Sequence, residues 1–224
     1  CTRVVRDLTK SASELTFKYF GKGVDHLNRI ALYGAISDYC DETDFVREEL
    51  CFYDKRTIYL EAGLLSQSLG ESRSDYGFKR EIMKNLASGK EPNSIPGVVE
   101  NAINSAKKEW VVYERIKDIV RVVGDLAIID NIEKGVSAGK AAKFSIGITE
   151  KNIGVGIRVR HDFADISVRK KGNFPMDLDL VLRSIAFRLG GSGGGHASAA
   201  GARIPSRNID EFIRTLADEV ASIS

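Results

Sequence analysis

The chain has 224 residues, 43% of them hydrophobic and 29% charged, with a net charge of +2. That length holds one large domain or two small ones, and the composition is that of a soluble globular protein. So small a net charge excludes an argument for nucleic-acid binding from bulk charge, and any such reading has to come from local patterning.

Three cysteines, Cys1, Cys40 and Cys51, lack metal-site spacing and cannot all pair, which predicts a reduced, cytoplasmic setting. No apolar run approaches a membrane span, and none reads as a signal peptide. A start at Cys1 rather than Met is expected of a processed or truncated product.

Ser11-Ala-Ser-Glu14 is a capping box, with Leu15 and Tyr19 following at helical spacing, Leu8 and Ala12 extending the face backward and Gly21 as a stop. LNRIALYGAI (27–36) is apolar on every side after Arg29, so it predicts a helix buried all round. No β-rich segment precedes it, and two short helices and a loop cannot cover it. The expectation is a partner or, better, a preceding portion of the protein. SQSLGESRSDYG (66–77) is polar and reads as a boundary. Phe78, Ile82 and Leu86 mark a short helix closed by Gly89. Beyond Pro92, with Pro96 in a first-turn position, Val99, Ala102, Ile103, Ala106, Trp110 and Tyr113 predict the stripe of a long connector helix of about 30 Å.

From Asp118 the period becomes that of strands. DIVRVV and LAIID flank Gly124-Asp125, a two-residue hairpin signal. SAGKAAK (137–143) predicts a short helix, and FSIGIT and NIGVGIRVR predict strands. In the latter, Ile153, Val155, Ile157 and Val159 share one face and Gly154, Gly156, Arg158 and Arg160 the other. FADISVR sets Ala164, Ile166 and Val168 against Asp165, Ser167 and Arg169. A helix from about Asp177 carries Leu178, Val181, Leu182, Ile185 and Leu189. A last one, signalled by Asn208 and Glu211, carries Ile209, Phe212, Ile213, Leu216 and Val220. Mixed strands and helices over about a hundred residues define an α/β or α+β sandwich.

Between those helices lies GGSGGGHASAAG (190–201). Glycine lets a ligand approach the backbone closely, and consecutive small residues can line an anion site with N–H groups. His196 adds a donor whose charge responds near neutral pH. If this loop lies over the face bearing Arg158, Arg160, Ser167 and Arg169, the site is a phosphate clamp, because arginine forks match phosphate oxygens. His26 and His161 read as surface residues, and Lys170-Lys171 as a solvated turn.

GGSGGGHASAAGARIP (190–205), preceded by DISVR (165–169), closely resembles the DHHA1 domain of DHH phosphoesterases, with its GGGHxxAAG signature. That family includes RecJ-type exonucleases, oligoribonucleases (nanoRNases), adenosine 3',5'-bisphosphate phosphatases and cyclic-dinucleotide phosphodiesterases. GIRVR and VSAGKAAKFSIG look most like archaeal RecJ-like members. ALYGAISDYCDET (31–43) resembles the last motif of the catalytic DHH domain, which makes Asp38 a metal ligand. An acid at a helix C-terminus is otherwise disfavoured by the macrodipole, which favours the same reading. The DxD-type motifs and the DHH triplet are absent. Asp25-His26-Leu27 lacks the second histidine and a preceding strand.

The resemblance implies an α/β fold in three parts. Residues 1–74 would be a helical remnant of the catalytic domain, 75–116 a helical connector, and 117–224 a mixed-sheet DHHA1 substrate-binding domain. It implies a metal-dependent phosphoesterase with two Mn2+ or Mg2+ ions, most of whose ligands lie outside this chain. The substrate would be single-stranded DNA or RNA, or a short oligonucleotide. His196 would meet the attacked phosphate, with Arg158, Arg160, Ser167, Arg169, Gly193, Gly194, Gly195, Ala199, Ala200 and Gly201 holding the neighbouring backbone. Two alternatives remain open. One is a non-catalytic replication scaffold with a GINS-type partner, a dimer being a separate expectation for either reading. The other is a phosphatase of an adenosine bisphosphate or a dinucleotide.

Overall fold

The structure, a computed structural model, describes residues 5, 7, 9–72, 74–132 and 136–223. The chain forms two compact units, Cys1–Glu109 and Trp110–Ser224. Cys1 and Leu8 lie outside the described residues.

The described part of the first unit is helical. The Ser11 hydroxyl accepts the Glu14 N–H at 3.1 Å and opens α1 (Ala12–Phe20), which Gly21 ends as the capping pattern predicts. A 3-10 turn, Asp25–Leu27, leads into α2 (Asn28–Ser37). Thr43, Asp54 and Asp75 then cap α3 (Asp44–Leu50), α4 (Lys55–Glu71) and α5 (Tyr76–Ala87), each accepting the backbone N–H three residues on.

In α2, Ala31, Leu32, Tyr33 and Ala35 are buried. Contrary to the sequence expectation, helices of this chain pack on that segment: α1, α3 and α4 all lie against it. The residues missed were Val46, Ile58, Ala62 and Leu65, the buried faces of α3 and α4, scattered among charges. Within 66–77, α4 continues through Glu71, with Ser68 fully buried, and α5 begins at Tyr76.

A long helix, α6 (Val98–Ile119), starts in the first unit and ends in the second. Its buried stripe is set one position back from the apolar one. Val98, Ala102 and Ser105 are buried, whereas Val99, Ile103 and Trp110 are exposed. A serine sits in the stripe because its hydroxyl bonds Gln67 Oε1 at 2.8 Å.

In the second unit, β1 (Arg121–Val123) and β2 (Leu126–Ile129) form the antiparallel hairpin around Gly124-Asp125, with Gly124 at φ +57°. Residues 118 and 119 belong to α6 rather than to β1. From β2 the chain crosses over through α7 (Ala138–Thr149) to β3 (Ile153–Arg160), parallel to β2, which makes a βαβ unit. The predicted FSIGIT strand is therefore the second half of a helix. Its small buried face, Gly139, Ala141, Ala142, Ser145 and Ile146, recurs at helical spacing, and Ser145 bonds Ala127 O of β2 at 3.2 Å. Then follow β4 (Phe163–Lys170), α8 (Leu178–Arg188), β5 (Ser192–His196), β6 (Ala199–Pro205) and α9 (Ile209–Ala221). The sheet runs β1-β2-β3-β4-β6-β5.

One face of this sheet packs on α8 and α9. Val155, Ile157, Ile166 and Val168 meet Leu182, Ile185 and Phe212 there. Each such fully buried side chain stabilises the fold by about 1.5–3 kcal/mol. On the other face, Ile129 and Ile132 pack with Ala141 of α7 and Ile116 of α6. The helix expected from about Asp177 is α8, and Asp177 is its N-cap, accepting the Leu180 N–H. Asn208 precedes α9 without a side-chain capping bond, and its amide nitrogen donates to Leu189 O at 2.9 Å.

A candidate phosphate-binding face

The glycine stretch is not a loop over the sheet, as the clamp reading supposed. Most of it is the edge strand β5 and the start of β6, paired through Gly193↔Ala202, Gly194↔Gly201, Gly195↔Ala200 and His196↔Ala199. The glycines permit close packing. A Cβ on Gly193 would lie 2.5 Å from Leu182 O of α8. Gly194 and Gly195 have φ of +154° and +157°. The Gly195 N–H donates to Asp179 Oδ1 at 2.6 Å, so a carboxylate of α8 already holds the backbone donor assigned to the ligand. Arg183 Nε also donates to Asp179, at 2.9 Å. Arg183, the Gly195 N–H and nearby His196 hold this carboxyl below the usual carboxylate range.

Cross-strand pairing sorts the other predicted residues into rows. In the first, His196 pairs with Ala199, Ala199 with Arg169, and Arg169 with Gly154. The second runs Gly194, Gly201, Ser167, Gly156, and the third Ser192, Arg203, Asp165, Arg158. The structure thus brings His196, Arg169, Ser167, Ala199 and Gly201 into adjacent rows. Ala200 belongs to the buried core on the other side of the sheet.

Helix α7 covers the β3 end of these rows. Cβ atoms on Gly154 and Gly156 would run into the carbonyls of Ala142 and Ala138. Arg158 is half-buried there and donates to the carbonyls of Ile132 and Val136, anchoring the chain on either side of 133–135. Arg160 ion-pairs with Asp165 at 2.9 Å. The floor over β4, β6 and β5 is made of small residues, Ser167, Ala199 and Gly201, flanked by charged groups. Arg203 was not singled out from the sequence. It donates to Asp165 Oδ1 at 2.7 Å, and with Arg160 and Arg158 it holds that carboxyl below its ordinary value. Its signal was the alternation in AAGARIP, which puts Ala199, Gly201 and Arg203 on one face.

Lys170 is not a solvated turn residue. Its ammonium donates to Phe174 O and Met176 O at 2.7 and 2.8 Å and orders the approach to α8. His26 and His161 are exposed.

Asp38 is the exposed C-cap of α2. Cys40 Sγ donates to its carbonyl at 3.7 Å, and burial together with the carboxylates of Asp38, Glu14 and Asp41 pushes that thiol up. Among the described residues no three His, Cys, Asp or Glu side chains gather as a metal site. Asp38 can offer one carboxylate to a divalent ion, and the described residues alone do not fit a two-metal centre. Among the described residues no helix is long and apolar enough to cross a membrane.

The DHHA1 domain family model matches residues 82–222. The chain belongs to this family. Its fold resembles that of PggH of Vibrio cholerae, described as a pGpG-specific phosphodiesterase, with a TM-score of 0.55 at 19% identity over 83% of this chain and 65% of that one. A DHH domain from a protein described as a member of a family of ribosomal proteins gives 0.64 at 16% identity over 94% and 53%. RecJ of Thermus thermophilus, solved with Mg2+, gives 0.58 at 16% identity over 88% and 34%. This chain therefore spans between about a third and two thirds of those proteins. No curated protein sequence matches it.

Proposed function

We propose that this chain is the substrate-holding part of a DHH-type phosphoesterase of the RecJ or nanoRNase kind, acting on single-stranded or short nucleic acid. The observation that carries the reading is the pairing of Arg169 with Ala199 and of Ala199 with His196, beside Ser167 and Gly201. An arginine, an imidazole and a hydroxyl there flank a floor with almost no side chains, which suits a phosphate that must come close to the backbone. His196 is assigned to the attacked phosphate, and Ser167 and Arg169 to the neighbouring one. The backbone N–H of Gly195 drops out of the assignment because Asp179 holds it.

The hydrolytic centre is assigned to two Mn2+ or Mg2+ ions in the complete protein. Asp38 would be one ligand, and most others would come from residues outside these 224. The metal would supply Lewis-acid activation of water and charge neutralisation. The GIRVR and VSAGKAAKFSIG stretches favour an archaeal RecJ-like member, and the three cysteines, without metal-site spacing, favour a reduced cytoplasmic setting.

Phosphate recognition carries weak sequence preference and strong salt dependence. The test is fluorescence anisotropy of the chain with a labelled single-stranded oligonucleotide across a salt series, for wild type and His196→Ala. Salt-sensitive, sequence-indifferent binding weakened by the substitution supports the reading. No binding at low salt, or unchanged affinity in His196→Ala, overturns it. With Mn2+ added, the isolated chain should cleave almost nothing, and robust cleavage would refute the assignment of the hydrolytic centre to residues elsewhere.

A further inference from the structure

The third row of the face has a feature that the assignment of His196, Ser167 and Arg169 leaves unused. Asp165 ion-pairs with two arginines at once, Arg203 Nε to Oδ1 at 2.7 Å and Arg160 Nε to Oδ2 at 2.9 Å. Both guanidinium groups meet the carboxylate through Nε. Their terminal nitrogens, which have no hydrogen-bond partner among the described residues, are left for another group. The two arginine side chains are 62% and 60% exposed, whereas that of Asp165 is 30% exposed. One carboxylate thus steadies two forks and leaves the trio with a charge of +1.

This trio is separated from Arg169 by four residues of β4, about 13 Å of extended strand. Gly201 and Ser167, paired with each other, lie between, so no bulky side chain interrupts the path. The face has cationic groups at both ends and a bare floor between them. A mononucleotide carries its phosphate at one point and can satisfy only one end.

We propose that Arg160 and Arg203, steadied by Asp165, form a second phosphate-binding point, so that the ligand is an oligonucleotide lying along the face rather than a mononucleotide. This rests on the reading of the Arg169–His196 end as the first phosphate point. The oligomer's backbone crosses the Gly201–Ser167 floor, with the attacked phosphate at His196, its neighbour at Arg169 and a further one on the terminal nitrogens of Arg160 and Arg203. The same geometry favours a chain substrate over an adenosine bisphosphate.

The test measures affinities of the 224-residue chain for a single-stranded pentanucleotide and for a nucleoside monophosphate, in wild type, Arg203→Ala, Arg160→Ala and His196→Ala. Circular dichroism checks each fold. Arg203→Ala should weaken pentanucleotide binding about tenfold, the worth of a charge-assisted bond, and lower its salt slope by about one, while monophosphate affinity stays unchanged. Arg160→Ala should act likewise, and His196→Ala should weaken both ligands. Pentanucleotide affinity unchanged in Arg203→Ala, or an equal loss for both ligands, overturns the second point while leaving the first intact. A wild-type chain that binds neither ligand overturns both.

Discussion

A Cβ added to Gly139 would collide with the guanidinium of Arg169, so the N-terminal turn of α7 lies directly against the arginine assigned to phosphate. The colliding group is the far end of a flexible side chain, which can swing away at little cost. Alanine is also the better helix former, by about 0.8–1 kcal/mol. Gly139→Ala should leave the thermal midpoint unchanged or slightly raised while weakening oligonucleotide binding several-fold. Calorimetry beside anisotropy checks both halves, and a variant that binds like wild type would detach Arg169 from the site.

Gly154 faces the same helix without that freedom. There the obstacle is the Ala142 carbonyl, part of the α7 backbone, with Ile146 Cγ1 only 2.9 Å from the added atom. Gly154→Ala should lose about 1–3 kcal/mol in urea unfolding, because α7 must move off the sheet. Gly147→Ala, in the same helix with nothing within 4 Å of the new methyl group, should be neutral or stabilising.

In the helical unit, Glu61 is 4% exposed and accepts from Arg29 and from the Tyr33 hydroxyl, the latter at 2.6 Å. Glu61→Ala leaves a half-buried guanidinium and a buried phenol unpaired. Because Arg29 keeps some solvent contact, the expected loss is about 2 kcal/mol rather than that of a fully buried pair. Tyr33→Phe, which removes one bond to a charged acceptor, should cost about 1–2 kcal/mol. Denaturant titration of both variants gives the comparison.

Tyr59 donates to Asp41 Oδ2 at 2.9 Å, and its phenol is pushed up to about 12 by burial and by that carboxylate. A raised phenol value means that the fold favours the neutral form. Its contribution is complete below the ordinary value of 10.0 and is lost as pH rises through about 12. Absorbance at about 295 nm should show a step near pH 12 that vanishes in Tyr59→Phe, while the also raised Tyr33 still ionises late.

Much of this was legible where side chains alternate. Ile153, Val155 and Ile157 against Gly154, Gly156 and Arg158 announced β3 and its two faces, and Ser11 and Gly124-Asp125 announced a cap and a turn. The second half of α7 was misread because Phe144, Ile146 and Ile148 mimic strand alternation over a short window. What makes it helical lies elsewhere in the chain, in the two glycines of β3 that admit a helix backbone. The glycine stretch was seen as functional but misplaced. Glycine has no strand preference, and only its pairing with Ala199–Gly201 makes it a strand. Arg203 was passed over because it lies beyond the motif. That Asp179 holds the Gly195 N–H could not be read at all, since it depends on where α8 begins in space.

The contact between Asp179 and Gly195 has a consequence for how β5 finds its place. A strand of serine, three glycines and a histidine has almost no side-chain pattern to fix its alignment, and a slip by one residue would turn His196 onto the opposite side of the sheet. Three bonds from α8 pin it: Gly191 N–H to Ala186 O, Gly195 N–H to Asp179, and Leu178 N–H to Ala197 O. The helix therefore acts as a ruler for the edge strand, and the orientation of the histidine is decided by a carboxylate that need never touch the substrate.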